Sequence, residues 1–367
     1  MADNSSAMEG ARAAGRATEL SQPTIGFLVL AVILVVGFLL SYSIGPVKAT
    51  LVLGPITTVW LPFLVMNAVW WRGWPFSRLS QPWSGIANLI LQIVLVAIGT
   101  VLMQALVVGS VNFAEMFNPP FRMFPFLMPM AALVFGVMLH LTFVVGQWPY
   151  RNLEYRLAGV AAVVTAWIIG GILYVVLCNW NSLPKEALGS APNPGGLYFA
   201  MDTTGAVIWV IAWQMVLGVL LGGWPVRLIK NTATNLIVST LAVLVLGVVS
   251  YLILNAIIGG APVVALGATS IFGAFVWAMA METWPLQGRM IPARAIGLVA
   301  LAFVTAVVWF FILTALAMAT AVWPPDLPPQ IYVGIGSLNF FTAIIVLYYT
   351  IFHRWPFTPP APPPSNG

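Results

Sequence analysis

His140 is the one ionisable side chain well inside an apolar block of the sequence, about two turns from the end of the fourth such block. Glu282 and His353 follow at block ends, one or two residues ahead of Trp-Pro pairs. An ionisable group at membrane depth is by default a functional candidate, as a proton relay or a counter-charge. Three such groups are too few for most cofactors. A bis-histidine haem site needs two imidazoles at one depth, and His140 and His353 are the only histidines. A zinc or di-iron centre needs three or more His, Cys or carboxylate ligands. The sequence therefore predicts no cofactor and no metal. General acid–base chemistry would have only His140 and Glu282 to use, so no catalytic residue is assigned and an enzyme is not expected. The single Cys178 excludes an intrachain disulfide.

Neutral polar residues in or beside the blocks are more plentiful: Asn67, Gln92, Gln104, Gln147, Gln214, Asn255 and Asn339. Asn67, His140 and Gln214 stand seven, eight and ten residues ahead of a Trp-Pro pair, which gives them similar depth. With Glu282 they form the expected substrate pathway. The competing reading is plain interhelical hydrogen bonding, worth about 1 kcal/mol or less per bond. Pro55 and Pro62 interrupt the second block, and a helix break at depth is tolerated only where protein or water covers it. Gly54-Pro55-Ile56-Thr57-Thr58 is therefore a candidate cavity-lining stretch.

The elements that must position these groups follow from composition. Apolar residues make up 61% of the chain and charged ones only 6%, with a mean hydropathy of +0.99. A soluble domain carries about 25% charged residues, so the solvent is a bilayer. The net charge of +5 is strung out between apolar blocks rather than gathered on one face, which argues against nucleic acid as a partner. Blocks of the roughly 20 residues needed to cross hydrocarbon fall near 24–43, 51–71, 86–108, 126–146, 157–178, 205–223, 235–258, 264–283, 294–320 and 332–352. Only a short turn around Gly259, Gly260 and Pro262 separates the seventh from the eighth.

Eleven basic residues fall on the side of the amino terminus and three, Lys48, Arg122 and Lys185, on the other. The positive-inside rule then places both termini in the cytoplasm. Each even-numbered block ends in Trp-Pro, at Trp74, Trp148, Trp224, Trp284 and Trp355. Proline stops the helix, and an indole suits the headgroup level, so these five are expected interfacial anchors. The odd-numbered blocks share a central glycine at Gly37, Gly99, Gly170 and Gly247, with Trp309 in the fifth.

The reading is an all-α integral membrane protein of about ten transmembrane helices, arranged as five tandem parallel helical hairpins. A cytoplasmic tail at 1–22 precedes a membrane domain at 23–353 and a Pro-rich cytoplasmic tail at 354–367. In architecture alone this layout resembles the tellurite-resistance and slow-anion-channel group, none of whose sequence pattern is present. The expected function is a transporter or channel for a small neutral or weakly charged solute in a bacterial cytoplasmic membrane. The alternative is a non-catalytic subunit or scaffold. Expected partners are the lipid bilayer, the solute and another membrane subunit.

Overall fold

In a computed structural model, which describes residues 21–114, 123–184, 188, 191–319, 323–324 and 327–357, ten helices are long and apolar enough to span a membrane. They are α1 (Thr24–Tyr42), α2 (Pro46–Trp70), α3 (Trp83–Val107), α4 (Leu127–Val144), α5 (Tyr155–Leu177), α6 (Ala200–Leu220), α7 (Thr232–Ile258), α8 (Gly260–Ala280), α9 (Ile291–Ala319) and α10 (Gln330–Thr350). Each covers one expected block. Gly259, in the left-handed region at φ 81°, is all that separates α7 from α8. Both expected tails lie largely outside the described residues, as do Arg12, Arg16, Arg122 and Lys185.

Burial divides the helices into two sets. In the even-numbered helices 61–78% of the apolar window is buried, against 17–33% in the odd-numbered ones. The even helices form a closed inner ring in which α2 packs on α4, α4 on α6, α6 on α8, α8 on α10 and α10 back on α2. The odd helices stand outside it and present side chains such as Ile90, Ile168, Leu252 and Phe311 outward. Apolar groups on an outer surface of this length need lipid around them.

The tightest inner–outer pairs differ from the expected hairpins. Each odd helix packs mainly on the even helix before it: α3 on α2, α5 on α4, α7 on α6, α9 on α8, and α1 on α10. The recurrent glycine explains this preference. A Cβ at Gly37 would lie 2.4 Å from Phe341 of α10, at Gly99 2.7 Å from Phe63 of α2, at Gly170 2.9 Å from the Val134 backbone of α4, and at Gly247 2.5 Å from the Val210 Cα of α6. Only a residue without a side chain allows that approach. The fifth contact inverts the arrangement: the glycine is Gly273 on inner α8, pressed on the Ala302 carbonyl of α9, and Trp309 stacks on Phe272.

The starts of the outer helices tie successive inner helices together. Trp71 at the end of α2 donates through Nε1 to the Arg156 carbonyl of α5 at 2.9 Å. Gln81, ahead of α3, donates to the Ile351 carbonyl beyond α10 at 2.8 Å, and Gln22, ahead of α1, to the Ala280 carbonyl of α8 at 3.2 Å.

Five corners of one design end the inner helices. In four of them a π-helical turn closes the helix, at Met66–Trp70, His140–Val144, Val216–Leu220 and Val276–Ala280. Two successive left-handed residues come after it in every corner: Arg72-Gly73, Gly146-Gln147, Gly222-Gly223, Glu282-Thr283 and His353-Arg354. A cis Trp-Pro bond comes next. The second left-handed N–H reaches back six residues, as from Gly73 to the Asn67 carbonyl, from Gln147 to Leu141 and from Thr283 to Trp277. Carbonyls that the helix end leaves open are thereby satisfied. The five anchors lie at these corners. Trp148 and Trp355 are well exposed, and Trp74 packs edge-on to Trp71 with the Arg156 guanidinium over its ring.

At the opposite end, the loop between α5 and α6 is tied by a two-residue parallel ladder of Cys178–Asn179 with Tyr198–Phe199. Asn179 donates to the Gly196 carbonyl at 2.9 Å, and Asn193 accepts from the Trp180 N–H at 3.0 Å. Burial pushes the Cys178 thiol up to about 11.

Candidate functional site

Inner helices α2 and α10 close the ring, and both leave regular α geometry where they meet. A π turn at Ala49–Leu53 leads into Gly54-Pro55, and another at Gly336–Thr342 surrounds Asn339. A wide turn of this kind inside a helix is frequent at functional sites. Asn339 Nδ2 donates to the Gly54 carbonyl at 3.0 Å and to Thr58 Oγ1 at 2.9 Å. The same carbonyl accepts from Thr57 Oγ1 at 2.8 Å and Thr58 Oγ1 at 3.0 Å. Asn339 Oδ1 is buried and has no hydrogen-bond partner. The close approach depends on Gly54, where a Cβ would lie 2.5 Å from Ile335 Cγ2.

Along α10 the hydroxyls of Ser337 and Thr342 hold the π turn, donating to Val333 at 2.7 Å and to Ser337 at 2.8 Å. Thr58 and Asn339 each stand sixteen residues before their Trp. About twelve of those residues are helical in α2 and eleven in α10, so the pair lies roughly 17–18 Å up the helices from the corners. The seam offers amide, hydroxyl and carbonyl dipoles and no ionised group. Such a set can exchange hydrogen bonds with a neutral molecule and gives a bare charge no counter-ion.

The four expected pathway residues occupy four different contacts. Asn67 is fully buried and donates to Asn88 Oδ1 of α3 at 3.0 Å and to the Trp74 carbonyl at 3.4 Å. His140 Nε2 lies 3.0 Å from Thr240 Oγ1 of α7. Gln214 donates to the Gly136 carbonyl of α4 at 3.2 Å and keeps a buried Oε1 without a partner. Glu282 forms an ion pair with Arg354, joining the fourth corner to the fifth. Similar offset from Trp-Pro sets similar depth, but at about 100° per residue His140 is turned about 100° from Asn67 and about 160° from Gln214. His353, in the same corner as Arg354, has its imidazole held below the usual range by burial.

Several contributors carry little sequence signal. Asn88 donates to the Gly73 carbonyl at 3.1 Å and so pins the first corner to α3; as the polar partner within reach of Asn67, it could have been found. Trp60, Trp213 and Trp277 donate to Gln92, Ser250 and Thr305 on adjacent outer helices at 2.8–3.0 Å. Asp202 lies in the first turn of α6 and accepts from the Tyr251 hydroxyl of α7 at 2.8 Å. Among the described residues no group of three His, Cys, Asp or Glu side chains comes together. No known protein family, curated protein or solved structure matches the chain.

Proposed function

We propose that the protein is a transporter or channel for a small neutral or weakly charged solute, with the α2–α10 seam as its polar contact. The observation that carries this reading is Asn339, a buried amide with an unused acceptor, set beside Thr58 and the Gly54 carbonyl in two helices that both break regularity there. Irregular backbone at membrane depth is kept where it is enclosed by protein or lines a water-filled path. The repeated corners fit five repeats in the same orientation about an axis along the membrane normal. On the charge rule their Trp-Pro side, with both chain ends, faces the cytoplasm of a bacterial cell. In this reading Thr58 and Asn339 meet the solute, while Asn67, His140, Gln214 and Glu282 hold neighbouring helices in place. None of them is assigned a catalytic role.

Purified protein in liposomes, challenged with glycerol, urea and potassium chloride and followed by stopped-flow light scattering, tests the proposal. Neutral solutes should enter faster than in empty liposomes, and Asn339→Leu with Thr58→Val should slow them. Equal rates with and without protein across the panel reject it.

A non-catalytic membrane subunit is the second reading. It is favoured by the engagement of all four expected pathway side chains in contacts between neighbouring elements. Recovery of a second chain at fixed ratio on native purification would select it.

A further inference from the structure

Between outer helices α3 and α5 the packing opens into a cleft of about 710 Å³, a volume in the range of ligand pockets, about 300–1,000 Å³. Leu106, Met130, Trp167 and Gly171 line it, and Pro192 and Pro194 of the α5–α6 loop close one end. Two adjacent glycines account for the opening. Gly170 draws α5 onto the Val134 backbone, whereas a Cβ at Gly171 would meet only Met130 Cε, at 3.6 Å. Helix α3 packs on α2 instead, so the space at Gly171 is left between the two outer helices.

We propose that this cleft binds one acyl chain of a phospholipid, from the leaflet on the side of the α5–α6 loop. The lining is almost wholly apolar, so water would find no set of partners there. The rim residues Leu106, Ile172 and Val175 are each more than half exposed, on helices long and apolar enough to lie in a bilayer. A chain already in the membrane therefore reaches the cleft sideways without crossing water. Depth agrees as well. Trp167 is ten residues from the end of α5 at Leu177, about 15 Å, which is half of the roughly 30 Å hydrocarbon core. A chain whose headgroup lies near Pro192 and Pro194 would end beside the Trp167 indole.

The test uses the full chain in phosphatidylcholine liposomes brominated either near the chain terminus or near the ester. The Trp167 emission is taken as the difference between the intact protein and Trp167→Phe. Bromine near the terminus should quench that emission more than bromine near the ester, and one phospholipid per chain should survive delipidation in a native mass spectrum. Gly171→Phe fills the cleft from a position with room for a side chain, and should lose both the retained lipid and the preferential quenching. Should that variant fail to fold, Val175→Trp at the exposed rim narrows the entrance and makes the same test. Retention of the lipid in the folded variant overturns the proposal. So does equal quenching from both bromine positions, or a retained mass that is not a phospholipid.

Discussion

Asn339 and Thr58 hold the same place in two different helices, sixteen residues ahead of their own Trp-Pro corners, and the amide of the first donates to the hydroxyl of the second at 2.9 Å. The corresponding positions on the other three inner helices are Ala132, Ile208 and Ala268, all apolar. At this level the repeated position is thus polar in α2 and α10, the first and last inner helices, and apolar in the three between them.

Replacing Asn339 separates the two roles of its amide. Asn339→Leu removes both donated bonds and leaves Thr58 bonded to the Gly54 carbonyl, so stability should fall by about 1 kcal/mol. Asn339→Asp should be worse, because an oxygen then faces the Gly54 carbonyl and a buried charge lacks a partner. Unfolding in mixed detergent micelles reads both values. An Asp variant as stable as the Leu variant would mean that the amide does not donate to Gly54.

The corners provide a reciprocal exchange. Thr283 and Gly223 both immediately precede a Trp and both have positive φ, 65° and 78°. A left-handed conformation costs an L-residue roughly 1–2 kcal/mol, part of which glycine's greater freedom in the unfolded chain offsets. Thr283→Gly should raise stability by up to about 1 kcal/mol, and Gly223→Thr should lower it by at least as much. Melting temperatures of the two variants in one detergent should therefore move in opposite directions.

Neighbouring glycines on α5 should respond differently to one added methyl group. At Gly170 the new Cβ would lie 2.9 Å from backbone atoms of Val134, which cannot rotate away, whereas at Gly171 it meets a methionine tip at 3.6 Å. Gly170→Ala should destabilise by about 1–3 kcal/mol through overpacking. Gly171→Ala should be neutral or gain up to about 1 kcal/mol from helix propensity. Folded yield and melting temperature, measured side by side, decide it.

Cys178 should be silent to thiol reagents while the chain is folded. Its side chain is fully buried and its pKa stands near 11, so at pH 8 almost no thiolate is present and reagent cannot reach it. A maleimide should label the protein only after denaturation in dodecyl sulfate. Stoichiometric labelling of the folded protein would place Cys178 at an accessible surface.

Much of the fold could be read from the residues. Apolar length located all ten helices, and the Trp-Pro pairs marked five corners that share one hydrogen-bond pattern. The αL pairs within them left no common trace, because no residue type occurs in all five of Arg-Gly, Gly-Gln, Gly-Gly, Glu-Thr and His-Arg. Glycines recurred at the centre of the odd helices without naming a partner. Connection order suggested the following helix, and the contact lies with the preceding one. Of the candidate site, Asn339 and Gly54–Thr58 were each visible as anomalies. Their meeting was not, since about 280 residues separate them and their common depth shows only when the offset is counted from Trp-Pro.

The packing of α1 on α10 also sets a timetable for biosynthesis. Helix α1 is made first of the ten, yet the inner surface that receives Gly37 belongs to the last. About 290 residues must be added between them, roughly 15–60 s at about 5–20 residues per second. Throughout that interval the notch at Gly37 lacks the Phe341 ring that fills it in the folded chain. The Asn339 amide, arriving late, reaches a Gly54 carbonyl that has already waited in the membrane. The ring therefore cannot close progressively. It closes once, when α10 enters between α8 and α2 and gives α1 its partner.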